Sequence, residues 1–184
     1  MKVFANLLTF LKTIFTSGNK HMTEEIKNDL PIKDEFKPTI LNEVLHVGRP
    51  VGEKFPISSP FGWRNNPFKP EEKKFHKGID FSTPIGTPVY AMVDGVCISA
   101  GWEDPKDQKK GFGLRVWQES VIDGRTIYFW YGHLSETKIK PVELIKKGQE
   151  IGMTGNSGSS TGPHLHVQAR EKNTGKLFDM VFHA

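Results

Sequence analysis

The amino-acid sequence predicts a mainly β fold, built as an antiparallel sheet or sandwich. One observation is a composition rich in turn formers, with 18 glycines and 12 prolines among 184 residues. The other is a succession of short apolar stretches separated by turns from residue 51 onward. Glycine and proline end regular elements, whereas Val, Ile, Phe and Thr favour strands. Hydrophobic residues make up 36% of the chain, which is enough for the core of one domain.

The first element, residues 1–22, is an apolar segment whose role the sequence leaves open. On a helix its large apolar side chains would form one stripe: Phe4, Leu7, Leu8, Leu11 and Phe15. Lys12 interrupts the run and no Ala-x-Ala cleavage site follows, so this is a weak signal peptide or anchor. A short amphipathic helix and an ordinary extension are the alternatives. The segment is too short to span a bilayer, and we expect any membrane contact to involve residues 1–15.

Residues 23–50 are polar, contain three prolines and show no sustained periodicity, which predicts a linker or a lead-in strand. We expect the compact domain to occupy residues 51–184. In "VIDGRTIYFWY", Asp123-Gly124 stands between two β-rich runs and predicts a hairpin. The stretch "KPVELIKKG" is the best place for a single helical turn.

The charge and cysteine content narrow the classes of partner and cofactor. A net charge of +4 suits an anionic partner such as nucleic acid, a membrane surface or a cell-wall polymer. No nucleic-acid-binding motif is present in the sequence, so we expect no nucleic-acid binding. Cys97 is the single cysteine, which excludes an internal disulfide and predicts a small buried side chain. A bound metal would therefore need histidine and carboxylate ligands.

The stretch "TGPHLHVQAR" places two histidines two positions apart after a run rich in glycine and serine. In a strand, His164 and His166 point to the same side, about 7 Å apart along the backbone. Leu165, Val167 and Ala169 would then face the opposite side. The two imidazoles can therefore serve one site, and the preceding run suits a loop.

A second histidine stretch, "FHKGIDFSTPIGTPV", carries His76 and Asp80 four positions apart. Its apolar residues and prolines favour extended structure, and a straight strand would hold the two side chains about 13 Å apart. That separation is too large for one metal ion, so we predict a bend at Gly78 that lets both side chains point inward. A third stretch, "YFWYGHLSE", places His133 at the end of an aromatic strand.

Four segments in this order resemble the lysostaphin-type zinc metallopeptidases, which cleave peptide cross-links of bacterial peptidoglycan. They are "SPFGWR", "HKGIDFSTPIGTPVYAMVDGV" followed by Cys97, "YGHLS" and "KKGQEIGMTGNSGSSTGPHLH", and the resemblance runs from about Ser58 to Val167. It implies zinc held by His76, Asp80 and His166. It also implies catalytic roles for His133 and His164, in a groove across a mainly antiparallel sheet.

The chemistry of these residues agrees with that resemblance. Two neutral imidazoles and one carboxylate leave a tetrahedral zinc ion one open position for water, as in catalytic sites. The chain has no His-Glu-x-x-His sequence, so His133 and His164 are the candidates for the base and for the group that stabilises the oxyanion or protonates the leaving amine. The sequence does not apportion those two roles.

Other residues near these segments have no assigned role. His21, His46 and His183 match nothing in the family. Arg64 and Asn66 suit either a turn or a substrate contact, whereas core packing is the favoured interpretation of Trp130 and Tyr131.

We expect a monomeric endopeptidase that acts on peptidoglycan in the cell envelope, by an export route that the sequence leaves open. The alternatives are a non-catalytic module that binds the wall or activates amidases, and a phage-encoded lysis enzyme with the same chemistry. No wall-targeting module follows the domain before Ala184, which favours D-alanyl-diaminopimelate cross-links over glycine bridges.

Overall fold

The structure is a computed structural model that describes residues 38–184. These residues form fourteen strands and no helix. The strands are β1 (Thr39–Leu41), β2 (Val44–Gly48), β3 (Ile57–Ser59), β4 (Gly62–Asn66), β5 (Lys69–His76), β6 (Ile79–Ser82), β7 (Pro88–Tyr90), β8 (Gly95–Trp102), β9 (Leu114–Ile122), β10 (Arg125–Thr137), β11 (Leu144–Ile145), β12 (Glu150–Thr154), β13 (His164–Glu171) and β14 (Leu177–His183).

Twelve of these strands belong to one hydrogen-bonded, curled sheet whose main path runs β1-β2-β14-β13-β10-β9-β8-β11. Two branches extend it, because β12 pairs with β10 and β7, and β6 pairs with β13 and β3. All pairings are antiparallel except that of β14 with β2. The hairpin of β4 and β5 forms a separate two-stranded sheet. The predicted mainly antiparallel β fold is thus confirmed, and the predicted helical N-terminal extension lies outside the described residues.

Alternation along the central strands separates a core face from an outer face. In β10 the core side chains are Ile127, Phe129 and Tyr131, and in β13 they are Leu165, Val167 and Ala169, all with no exposed surface. The Tyr131 hydroxyl donates to Gln118 and accepts from the Met92 amide, which satisfies a phenol whose pKa burial raises. Packing is therefore confirmed for Tyr131. Cys97 is buried as predicted, and burial raises the pKa of its thiol to about 11.

Two turn predictions had opposite outcomes. Asp123 and Gly124, with φ of 50° and 75°, connect β9 to β10 as a two-residue hairpin turn requires, which confirms that prediction. The helical turn expected in "KPVELIKKG" is wrong, because Leu144 and Ile145 form β11 and pair with β8. The edge of β8 offers this segment ladder hydrogen bonds that a single helical turn does not match.

The strands before Val51 are part of the sheet. Leu45 and Val47 of β2 have no exposed surface, and β2 runs parallel to β14 over five residue pairs. The core therefore draws on residues that precede the expected start of the domain. Residues 1–22, with their apolar stripe, lie outside the described part of the chain.

Candidate metal centre

Three ligand atoms meet where β5, β6 and β13 adjoin. His76 ends β5, while Asp80 and His166 are directly opposite each other on β6 and β13. His76 Nε2 lies 3.2 Å from His166 Nδ1 and 3.2 Å from Asp80 Oδ1, and His166 Nδ1 lies 2.7 Å from the same oxygen. Ligand atoms of a tetrahedral zinc ion are about 3.3 Å apart. The three predicted ligands are brought together, and both their geometry and their chemistry fit zinc.

Gly78 makes this convergence possible, but for a different reason from the one predicted. The chain bends at Gly78 between β5 and β6, as expected, yet its φ is not left-handed. A Cβ atom at this position would lie 2.2 Å from the carbonyl oxygen of Val167 and 2.7 Å from His166 Cε1. Glycine is required because the backbone passes directly against β13 and the His166 ring.

A hydrogen bond to His76 and an ion pair with Asp80 orient these two ligands. The Nδ1–H of His76 donates to the Pro60 carbonyl at 2.9 Å, which leaves the Nε2 lone pair for a metal. The second oxygen of Asp80, Oδ2, lies 3.4 Å from Arg64 Nη1. Arg64 therefore contacts a ligand, whereas Asn66 accepts a hydrogen bond from the Phe68 amide in the β4–β5 turn.

The protonation states of the buried ligands suit metal binding. Burial opposes ionisation of Asp80. In the metal-free site the hydrogen bond from His166, together with the adjacent His76 ring, outweighs burial and holds the pKa of this carboxyl well below its usual range. Burial also lowers the pKa of His166, although Asp80 opposes the shift. The site thus offers an anionic carboxylate and a neutral imidazole at neutral pH, the ligand forms that zinc takes.

His133 and His164 flank the ligand set, with ring centroids 4.6 Å apart. Each anchors its Nδ1 on a backbone carbonyl, His133 on Ser157 at 2.7 Å and His164 on Gly162 at 2.8 Å. These bonds leave Nε2 of each ring as the free nitrogen. His164 Nε2 lies 3.8 Å from Asp80 Oδ1, so the free nitrogen of His164 faces the ligand set.

A strained backbone position aims the His133 ring. His133 has a φ of 62°, and the register of β10 against β9 shifts between Tyr131 and Leu134. Its amide instead donates to the Phe112 carbonyl at 2.7 Å. Burial, with His164 and His166 close by, lowers the pKa of His133 to about 4. This imidazole is therefore neutral at pH 7 and can accept a proton.

The site opens into a cavity of about 430 Å³. Its lining includes the glycine- and serine-rich run, at Ser159, Ser160 and Thr161, which thus forms one wall. Sequence reasoning missed several further lining residues, among them Glu103, Phe112 and Gln168, because only the tertiary fold brings them to the ligands. Gln168 alone had a signal, since it continues the alternation of His164 and His166.

Of the remaining residues of interest, the two histidines His46 and His183 lie apart from this site. His46 Nδ1 is 3.0 Å from His183 Nε2, on the neighbouring strands β2 and β14, and neither residue lines the cavity. Trp130 is buried, but on the same side of β10 as the cavity, where it stacks with Phe112. Within residues 38–184, no helix could cross a membrane.

Curated relatives share this region of the chain. The peptidoglycan DD-endopeptidase ShyA of Vibrio cholerae is 38% identical over 121 residues, which are 65% of this chain and 26% of ShyA. The DD-carboxypeptidase/endopeptidase Mpg of Neisseria meningitidis is 38% identical over 114 residues, 62% of this chain and 24% of Mpg. Lysostaphin of Staphylococcus staphylolyticus is 39% identical over 94 residues, 50% of this chain and 18% of lysostaphin. The chain thus spans about a quarter of these relatives or less.

Solved structures show the same architecture. The catalytic domain of the prophage-encoded M23 protein EnpA from Enterococcus faecalis has a TM-score of 0.58 and 30% identity, covering 72% of this chain and 93% of that domain. A zinc-containing peptidase from Vibrio cholerae has a TM-score of 0.60 and 26% identity, covering 77% of this chain and 44% of that one. The profile of Peptidase family M23 matches residues 74–179, more than half of the chain. With the ligand cluster inside that range, the predicted relation to lysostaphin-type enzymes is confirmed: the chain belongs to Peptidase family M23.

Proposed function

We propose that this protein hydrolyses peptide cross-links of bacterial peptidoglycan, with a zinc ion bound by His76, Asp80 and His166. One observation carries the proposal: three ligand atoms converge beside two anchored imidazoles in an open cavity. Relatives named as peptidoglycan DD-endopeptidase and DD-carboxypeptidase/endopeptidase support the substrate class. The place of action would then be the cell envelope. That the protein acts as a monomer, and that residues 1–15 contact a membrane, stay predictions.

Three protein ligands would leave a tetrahedral zinc ion one open position, where water could bind. When bound by three protein ligands, zinc lowers the pKa of a coordinated water towards neutrality and polarises a carbonyl group. Arg64 contributes by holding Asp80 Oδ2, so that Oδ1 faces the two histidine nitrogens. His76 contributes a lone pair whose direction the Pro60 carbonyl determines.

The two flanking histidines would move protons and stabilise charge. His133 is neutral over the physiological range, so its Nε2 can take a proton from the attacking water. His164 holds its Nδ1 proton on Gly162 and directs Nε2 into the cavity. Once Nε2 also carries a proton, this imidazolium can protonate the leaving amine or donate to the developing oxyanion. Anchoring both rings on backbone carbonyls removes the rotational freedom that would weaken either role.

We further propose that the bond cut is the D-alanyl-diaminopimelate cross-link. Similarity to the DD-endopeptidase ShyA extends over 121 residues, against 94 residues for lysostaphin at nearly equal identity. The longer match supports a substrate of the directly cross-linked kind over a glycine bridge.

Digestion of purified peptidoglycan followed by mass spectrometry tests this function. We expect the zinc-loaded protein to convert cross-linked muropeptide dimers to monomers and to leave pentaglycine intact. The His164→Ala variant is the matched control and should release products at least about 10²-fold more slowly. Hydrolysis of pentaglycine with intact dimers would contradict the choice of bond, and intact cross-links of both kinds would contradict hydrolysis itself.

Two alternatives make different predictions in the same digest. A non-catalytic activator module would cut nothing by itself, although the presence of all five site residues disfavours this interpretation. A phage-encoded lysis enzyme would give the same products, and the similarity to prophage-encoded EnpA keeps that setting open.

A further inference from the structure

Two arginines, Arg170 and Arg115, lie on the outer face of the central sheet. Burial lowers the pKa of Arg115, and the charge of nearby Glu103 opposes that shift. The neighbouring cations are paired, because Arg125 contacts Glu171 and Lys172 contacts Glu119 at 2.8 Å. Within residues 38–184, neither Arg170 of β13 nor Arg115 of β9 forms an ion pair; each lies over a tryptophan ring. Arg170 is the exposed one of the two, and an exposed guanidinium without a carboxylate is a ready site for an anionic ligand.

The two arginines are the ends of one row across three strands. Arg170 Cζ lies 5.3 Å from the centre of the Trp130 ring, and Arg115 Cζ lies 5.5 Å from that of Trp117. Trp130 and Trp117 are cross-strand partners that stack with centroids 5.7 Å apart. Stacking on an indole restrains a guanidinium and leaves its N–H edge available for a carboxylate.

Unsatisfied donors lie at the Arg115 end of this row. Arg115 Nε and Nη1 and Trp117 Nε1 are buried and have no acceptor among the described residues. Arg170 lies at the opposite end of the row, so a ligand bound there would not reach these donors.

The row connects directly to the metal centre. Phe112 contacts the ring of His166, at a centroid distance of 5.4 Å, and stacks on Trp130 at 6.2 Å. On β13 the side chains of His166, Gln168 and Arg170 alternate onto one face, and Gln168 lines the cavity. Arg170 is therefore about 13 Å from His166 along the strand. An extended peptide covers that distance in three to four residues.

We propose that Arg170 binds a carboxylate of the peptidoglycan stem peptide, namely the free α-carboxylate of its γ-linked D-glutamate. In a directly cross-linked stem, that residue is the third one counted back from the bond at the D-alanyl carbonyl, which matches the distance from the metal centre to Arg170. A glycine bridge carries no carboxylate. This assignment of Arg170 rests on the proposed function. It adds to that function that the enzyme recognises an acidic stem peptide as well as the bond it cuts.

A binding experiment tests the subsite without hydrolysis. The uncross-linked tetrapeptide L-Ala-γ-D-Glu-diaminopimelate-D-Ala, with the glutamate α-carboxylate free or amidated, is titrated into the zinc-loaded protein. We expect the free acid to bind about tenfold more tightly than the amide, which is the effect of one charge-assisted hydrogen bond. Binding of the free acid should also shift the NMR signal of the Arg170 Nε–H group. Equal affinity for the two peptides would overturn the proposal even if the enzyme cuts peptidoglycan.

Variants then identify the residue responsible. Arg170→Gln should abolish the preference for the free acid, and Arg170→Lys should keep part of that preference. Lys146→Gln is the matched control, because it removes one positive charge at an exposed site where Lys146 pairs with Asp94; it should leave the preference unchanged. On cross-linked dimers with free glutamate carboxylates, Arg170→Gln should raise KM about tenfold and leave kcat within about twofold. A preference that survives in Arg170→Gln would contradict the assignment. Failure to cut dimers, with the binding preference intact, would count against the proposed hydrolysis alone.

Discussion

At the residue scale, the site depends on which nitrogen each histidine leaves free. His76, His133 and His164 all anchor Nδ1 on a backbone carbonyl and leave Nε2 for the cavity. His166 differs, because its Nδ1 faces Asp80 and His76. The sequence contains the four imidazoles, but the tautomers of His76 and His133 follow from carbonyl groups 16 and 24 positions away in the chain.

The two flanking histidines should separate metal binding from catalysis. We expect His133→Ala and His164→Ala to retain stoichiometric zinc and to lose about 10²-fold or more in kcat/KM on peptidoglycan, because each removes a proton-transfer or charge-stabilising group. Metal analysis and product release measure the two effects. His46→Ala, distant from the cavity, is the control. Near-normal activity in both site variants would contradict the assigned roles.

The pKa of His133 predicts an acid-sensitive fold. In the metal-free protein this pKa is about 4, against 6.5 in an unfolded chain, because burial and two neighbouring imidazoles oppose its charge. Between these values the unfolded state binds more protons, so the free energy of unfolding should fall as pH falls from 6.5 to about 4. Urea unfolding at several pH values measures this. His133→Gln should lose less stability over that window, and an equal loss would contradict the low pKa.

At the element scale, close backbone approach builds the site. The β5–β6 bend brings Gly78 against β13, so that Asp80 and His166 become cross-strand partners. His76 lies on a hairpin that pairs only with itself, and two-stranded hairpins are marginally stable alone. Its Arg64–Asp80 and His76–Pro60 contacts join it to the main sheet.

Gly78→Ala should damage both the fold and the site. Its Cβ would meet the Val167 carbonyl and the His166 ring, so β5 and β6 must move apart from β13. We expect a loss of about 1–3 kcal/mol in the free energy of unfolding, as overpacking typically costs, and weaker zinc binding. Gly52→Ala, where the nearest atoms are 3.9 Å away, is the matched control and should behave as wild type. Unchanged zinc affinity in Gly78→Ala would refute this account of the bend.

At the scale of the whole molecule, the metal ligands join parts of the sheet that are far apart in the chain. His76 and His166 are separated by 90 positions, and three strands supply the ligand set. A ligand that binds only the folded state stabilises it in proportion to its excess over Kd.

Zinc removal should therefore lower the melting temperature. At a zinc concentration of about 100 Kd the stabilisation is about 2.7 kcal/mol, which corresponds to about 5–10 °C for a domain of this size. Thermal unfolding with and without a chelator measures the shift. The melting temperature of the His76→Ala variant should change little when the chelator is added. A wild-type melting temperature that does not change with the chelator would contradict zinc as a ligand of the folded state.

Local sequence patterns predicted four features of this protein: the mainly β class, the Asp123-Gly124 hairpin, the shared face of His164 and His166, and a bend at Gly78. These features depend on alternation, turn chemistry and residue size, which act over a few neighbouring positions. The ligand set came from resemblance to a family, and only the tertiary structure brought its members within 3.2 Å. Folding alone also decided the contact of Arg64 with Asp80, the strained His133 and the Arg170-to-Arg115 row. Each of these depends on strand pairings between distant segments, which no local pattern encodes.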